Sequence, residues 1–243
     1  FDTENLGNLL PAAGGQAHFQ GTVRGDRQTP EFSFELEADM ISYQDYLLQT
    51  LTGSGQGVYS PHGEVFVALA GTGLQIGSSI FSLASLDLTG TISQHQLQTK
   101  LTGPAGEFEL LVDGGFIEQT WEVEFNNLGW RLHPYGDWQL QSPARLLTDE
   151  EGIDLASVCL AQDESMICLQ GGWQATGEWQ LDADINTSAE LMYQWELSFL
   201  PVEGKLVASV RSAGLGARLT KAEVHLDMPE LQVAVLDEEG REK

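Results

Sequence analysis

Apolar and polar residues alternate with a period of two along most of this chain, as in Phe32-Ser33-Phe34-Glu35-Leu36, Phe108-Glu109-Leu110-Leu111-Val112, Trp121-Glu122-Val123-Glu124-Phe125 and Trp179-Gln180-Leu181-Asp182-Ala183. That period puts every apolar side chain of an extended segment on one face and every acid or amide on the other. It predicts strands over 17–24, 31–40, 46–51, 64–70, 73–77, 80–88, 95–101, 107–112, 120–128, 137–141, 152–160, 166–169, 177–185, 205–210, 222–228 and 231–236. Gly, Pro, Asn, Asp and Ser separate most of them, the residues that tight turns require. An all-β, extended antiparallel sheet follows, one continuous section over 1–243, with 1–16 and 237–243 expected as poorly ordered ends. Thr187-Ser188-Ala189-Glu190 opens like a helix cap and admits a short helix near 187–195, whereas Trp195-Glu196-Leu197-Ser198-Phe199 alternates again and admits a strand. A weaker helix candidate spans 9–14.

Composition narrows what such a sheet can serve. The 243 residues are 42% hydrophobic, enough for a sizeable core, and 36 acids against 11 bases give a formal charge of -25. That charge repels nucleic-acid phosphates and anionic bilayer surfaces, so nucleic acid is excluded as a partner. The longest apolar run, Val65-Phe66-Val67-Ala68-Leu69-Ala70, is far short of the roughly 20 residues of a membrane-spanning helix. A start at Phe1 with no basic, then apolar, leader suggests an excised or processed piece.

The two cysteines flank a polar centre. If Asp163-Glu164 is a hairpin tip, Gln162 faces Ser165, Leu160 faces Ile167 and Cys159 faces Cys168. Val158, Leu160, Ile167 and Leu169 then share one face, and the cysteines meet on the other. This arrangement suits a cross-strand disulfide and an oxidising compartment such as a periplasm; the alternative is a reduced, buried pair.

Residues that could carry chemistry are scattered. His18, His62, His95, His133 and His225 have no acid, Cys or Ser partner at a recognisable spacing, and no H-E-x-x-H or G-x-S-x-G occurs. No metal, cofactor or catalytic residue is expected, and acids two apart, such as Asp182 and Asp184, make a solvated stripe. Gly53-Ser54-Gly55-Gln56-Gly57 and Gly71-Thr72-Gly73 are expected as turns. Trp121, Trp130, Trp138, Trp173, Trp179 and Trp195 would stack on sugars if exposed in a carbohydrate-binding sandwich, and are ordinary packing if not. Lys205, Arg211, Arg218 and Lys221 occupy an acid-free stretch, either a solvated face or a contact for a phosphate headgroup.

Several motifs in order resemble the TamB family: Tyr43-Gln44-Asp45-Tyr46 and Leu51-Thr52-Gly53, then Gly90-Thr91-Ile92-Ser93-Gln94-His95-Gln96-Leu97, Leu101-Thr102-Gly103-Pro104, and Gly114-Gly115 before Trp121. Trp138-Gln139-Leu140-Gln141-Ser142-Pro143-Ala144, the two cysteine segments, Gly172-Trp173 and Trp179 continue the resemblance, which covers about 40–210. It implies a periplasmic location and a β-sheet rolled into a U-shaped trough, like those of AsmA-like and bridge-like lipid transfer proteins. It also implies a barrel partner, TamA, in envelope assembly and phospholipid movement. The inner-membrane anchor and barrel-contacting region would lie outside this chain, leaving a middle section of the trough.

An apolar face cannot stand in water, so it closes, packs on another sheet or shelters an apolar guest. The groove expected for phospholipid acyl chains is lined by Phe32, Phe34, Leu36, Val65, Val67, Leu69, Leu97, Leu101, Phe108, Leu110, Val112, Trp121, Val123, Phe125, Trp179, Leu181, Leu206 and Val210. The main competing expectation is a non-catalytic, chaperone-like β scaffold that receives outer-membrane protein strands at its edge.

Overall fold

The structure, a computed structural model, describes residues 2–3, 5–8, 11–60, 62–133, 136–191, 202–229 and 232–233. Two units divide the chain, Phe1–Leu132 and His133–Lys243. The first contains β1 (Asp2–Thr3), β2 (Ala13–Arg24), β3 (Glu31–Tyr43), β4 (Tyr46–Val58), β5 (Val65–Ile76), β6 (Ser79–Gly90), β7 (His95–Gly103), β8 (Gly106–Ile117) and β9 (Thr120–Leu132), with a 3-10 turn at Leu6–Asn8. Each strand pairs antiparallel with its neighbour in the chain.

Two-residue loops join β3 to β4, β5 to β6, β7 to β8 and β8 to β9. At the β8–β9 turn Ile117 pairs with Thr120, and both loop residues, Glu118 and Gln119, have positive φ (49° and 72°). That is the turn whose twist matches a right-twisted hairpin. Gln44 (52°) and Gly77 (57°) serve the β3–β4 and β5–β6 turns in the same left-handed region.

The second unit contains β10 (Gly136–Leu140), β11 (Ala144–Thr148), β12 (Gly152–Gln162), β13 (Ser165–Gln174), β14 (Glu178–Ser188), β15 (Val202–Glu203), β16 (Lys205–Leu215), β17 (Arg218–Asp227) and β18 (Gln232–Val233). β12 receives both β10 and β11, then β13, β14, β16 and β17 follow as antiparallel neighbours, while β15 pairs with β18 separately. One bulge interrupts β12 between Leu155 and Val158.

Four expectations are corrected. Gly53 to Gly57 is no turn: it is the interior of β4, and Gly71 to Gly73 lies inside a single β5 that joins two expected strands. Glycine suits β4 because neighbours lie over it; a Cβ on Gly55 would strike the Phe34 ring, and one on Gly53 the Leu69 side chain. The expected helix near 187–195 begins late, because β14 runs through Ser188 and the backbone turns helical only at Glu190, whose N–H donates to Ser188 Oγ at 3.2 Å. Residues 192–201, the rest of that expectation, lie outside the described residues, as does 237–243. The helix candidate at 9–14 fails at its end, since Ala13 and Gly14 begin β2.

Among the described residues, the substantial contacts between elements join strands that pair in the sheet, apart from the 3-10 turn on β2. Among the described residues the large apolar side chains of Phe81, Val112, Leu191 and Trp138 are buried, the last with no exposed surface at all. Among the described residues no helix is long and apolar enough to cross a membrane.

Candidate functional surface

Residues paired across antiparallel strands point to the same face, so the registers assign every side chain of the first unit. One row runs Val23, Phe32, Gly57, Val65, Gly90, His95, Gly114, Val123 from β2 to β9; the next runs Gly21, Phe34, Gly55, Val67, Leu88, Leu97, Val112, Phe125. A third joins Phe19, Leu36, Gly53, Leu69, Leu86, Thr99, Leu110 and Leu128, and a fourth Ala17, Ala38, Leu51, Gly71, Ala84, Leu101, Phe108 and Trp130. At about 4.8 Å per strand each row extends roughly 34 Å. These four rows hold no carboxylate, amine or guanidinium, and His95 is their one titratable side chain.

The opposite face is the polar one. Its rows include Thr22, Ser33, Gln56, Thr89, Gln96, Asp113 and Glu124, interrupted by Phe66. Cross-strand pairs knit it together: Thr22 to Ser33 at 2.9 Å, Thr50 to Thr72 at 2.7 Å, the Gln96 amide donating to Asp113 at 2.9 Å, and Lys100 with Glu109 at 3.1 Å. Exposed pairs of this kind contribute little each, and their value is to hold register. The same alternation appears in exposure, with Phe32, Phe34 and Leu36 half-buried and Glu31, Ser33, Glu35 and Glu37 exposed.

Of the expected groove residues, Phe32, Phe34, Leu36, Val65, Val67, Leu69, Leu97, Leu101, Phe108, Leu110, Val112, Val123 and Phe125 all stand in these rows. Trp121 joins them at the margin, opposite Phe116, where its ring meets Phe116 at 5.3 Å and His95 at 5.6 Å. In the second unit Trp179, Leu181, Leu206 and Val210 also share one face, with Ala183, Ile185 and Ala208 between them. Leu86, Leu88, Leu128, Trp130 and Trp173 belong to the apolar faces too and were not among the expected residues. Leu86 and Leu88 alternate visibly in sequence, whereas the β9 bulge near Val112 shifts Leu128 and Trp130 out of step with Phe125.

Cys159 and Cys168 are joined by a disulfide, Cα atoms 4.0 Å apart, in the register that the hairpin reading predicts. The bridge lies on the polar face, in line with Asp184 and Ser209. Within the acid-free basic stretch, Arg211 sits between Asp182 and Glu223 on the neighbouring strands, and the Lys221 amine is 3.0 Å from Glu223 on its own strand β17. Of the tryptophans, Trp138 is buried, Trp173 and Trp179 face each other across β13–β14, and the Trp179 N–H donates to the Gly216 carbonyl at 3.0 Å. Trp195 lies outside the described residues.

Two electrostatic details complete the surface. The Asp2 carboxyl is held below its ordinary range, first by its hydrogen bond to His18 and then by the charge of that imidazole. Among the described residues no group of three or more His, Cys, Asp and Glu gathers where it could hold a metal ion. A concavity of about 760 Å³ opens at the strand ends around Arg24, Glu31, Gln56 and Thr91, mostly on the polar side. The apolar surface is thus a broad face rather than a pocket.

Comparison with known proteins gives one match: the family model described as TamB, N-terminal domain, over residues 1–240. No curated protein and no solved structure matches. The family takes part in outer-membrane assembly with the partner TamA, is a non-catalytic, scaffold-like one, and places this domain in the periplasmic region of an inner-membrane protein.

Proposed function

As this chain belongs to the TamB family, we propose that its apolar face is the inner surface of a periplasmic trough that carries phospholipid acyl chains between the inner and outer membranes. The observation that supports this reading is the set of four transverse rows with no charged side chain, apolar across eight strands. Apolar surface on this scale needs an occupant, and each lipid methylene sheltered there is worth about 0.8 kcal/mol. The rows run across the strands, so a chain sliding along one meets the same environment at each β-strand. No catalytic group is needed for that passage, and the acidic outer face keeps anionic surfaces and other copies away.

Photo-crosslinking amino acids at Leu110 and Val123, with Glu122 and Glu124 as controls on the opposite face, test it in cells. Phospholipid adducts are expected from the first pair only. Equal labelling from both pairs would sink the groove.

A second reading, a scaffold that accepts incoming strands, is favoured by β17. All of its residues are exposed, and among the described residues its outer edge pairs with no strand. It predicts crosslinks from β17 to nascent barrel proteins in place of lipid.

A further inference from the structure

The apolar face of the second unit runs out onto β17, an edge strand whose every residue from Arg218 to Asp227 is exposed. Its register on β16 puts Ala222, Val224 and Leu226 on the apolar face, beside Ser212, Val210 and Ala208. Lys221, Glu223, His225 and Asp227 take the polar face. Val224, at 70%, and Leu226, at 53%, are among the more exposed large apolar side chains of the molecule. Edges that avoid association carry proline or a charge turned toward the apolar side, and the stretch from Lys221 to Asp227 has neither.

The order of charges along this edge selects its partner. Laid antiparallel on a second β17 about Val224, the strand sets Lys221 opposite Asp227, Ala222 opposite Leu226, Glu223 opposite His225 and Val224 opposite its own copy. Every polar position then meets one that attracts it: an ammonium meets a carboxylate, and an imidazole N–H donates to a carboxylate. A slide of two residues is the smallest that keeps the faces matched, and it sets Glu223 against Glu223 in one direction and against Asp227 in the other. Both neighbouring registers are therefore repulsive. On the β16 side Asp227 faces Val207 and Lys221 faces Ala213, so neither meets an opposite charge across that strand pair. β16 and β17 carry Lys205, Arg211, Arg218 and Lys221 against Glu223 and Asp227, in a chain of formal charge -25. The acidic charge that holds copies apart face to face is thus thin at this edge.

We propose that the outer edge of β17 pairs with the same edge of a second copy, in a two-fold dimer whose axis passes between the two Val224 residues. A two-fold normal to the sheet leaves both apolar faces on the same side. The row Val158, Leu169, Ala183, Val210, Val224 then continues into its own copy without a break. The dimer stands whatever the apolar face carries, and it competes with any incoming strand for one edge. A single strand seam buries less than a standard interface, so the association is weak and concentration-dependent.

The test uses the whole 243-residue chain with its disulfide intact. Sedimentation equilibrium across the micromolar range is expected to show a reversible monomer–dimer equilibrium. Lys221→Glu is expected to weaken it about tenfold, because the axis places the substitution in the seam twice, each time opposite Asp227. Adding Asp227→Lys to that variant restores opposite signs and is expected to recover the association. These positions are exposed, and unchanged circular dichroism separates lost pairing from lost folding. Engineered cysteines read the register: Val224→Cys is expected to oxidise to a covalent dimer, and Ala222→Cys only when mixed with Leu226→Cys, since a bridge needs Cα atoms within about 7 Å. A dimer indifferent to both charge reversals, or bridged through Val23→Cys on β2 and not through Val224→Cys, overturns the proposal. A monomer at every concentration, with β17 crosslinking in cells to nascent barrel proteins, overturns it in favour of the strand-accepting reading.

Discussion

The first unit and the second use the same antiparallel ladder but secure it differently. From β2 to β9 every strand pairs with its chain neighbour, the charges stay on one face, and glycines in β4 give way to the rings and branched side chains beside them. The second unit departs from that order: β10 and β11 share β12, a disulfide crosses one hairpin and Trp138 is fully buried. A regular ladder repeats one environment, which suits passage. An irregular one creates distinct places, and here one of them carries the buried Ser165 and Thr187 hydroxyls.

Removing the special groups of the second unit should therefore hurt most. Trp138→Ala is expected to cost about 3–5 kcal/mol, since a fully buried indole leaves a cavity. Hydrogen exchange should show protection lost over 136–188, with 31–131 as the internal reference; uniform loss would erase the contrast. The double change Cys159→Ser and Cys168→Ser removes a bridge closing a span of 9 residues, worth about 2–3 kcal/mol by chain entropy, read as a shift in urea midpoint with an unchanged slope. In the first unit, Gly55→Val forces the Phe34 ring aside at a cost of about 1–3 kcal/mol, although valine is the better strand former. If that variant is instead more stable, the glycines of β4 are not there for packing.

The smallest effect is at the chain start. Because the Asp2 carboxyl is lowered below its ordinary value of 3.8 by His18, its contribution is present above that value and is lost as pH falls through the lowered one. An NMR titration should show Asp2 protonating late, and His18→Ala should return it to the ordinary range. Trp138 and Asp2 thus bracket the scale, from a fully buried ring to a fully exposed pair.

Much of this was legible beforehand for physical reasons. Alternation reports the face of a residue directly, so Phe32 to Phe125 could be assigned to one surface without coordinates. The cysteine register was legible because the polar segment 161–166 is symmetric about its tip. Gly53 to Gly57 misled because glycine has no side chain to alternate, and the strand is visible only through the neighbours that lean over it. β11 was hidden behind Pro143 and an acidic run, and its pairing to β12 is decided by a partner rather than by its own pattern.

The neighbour-only pairing of the first unit also bears on how the protein comes into being. Each strand finds its partner across a short loop, so loop-closure entropy stays low and no strand waits for a distant one. A chain that emerges end first into the periplasm could therefore fold as it arrives, each new strand zipping onto the last and leaving one temporary edge, never a long unpaired segment, exposed to its neighbours.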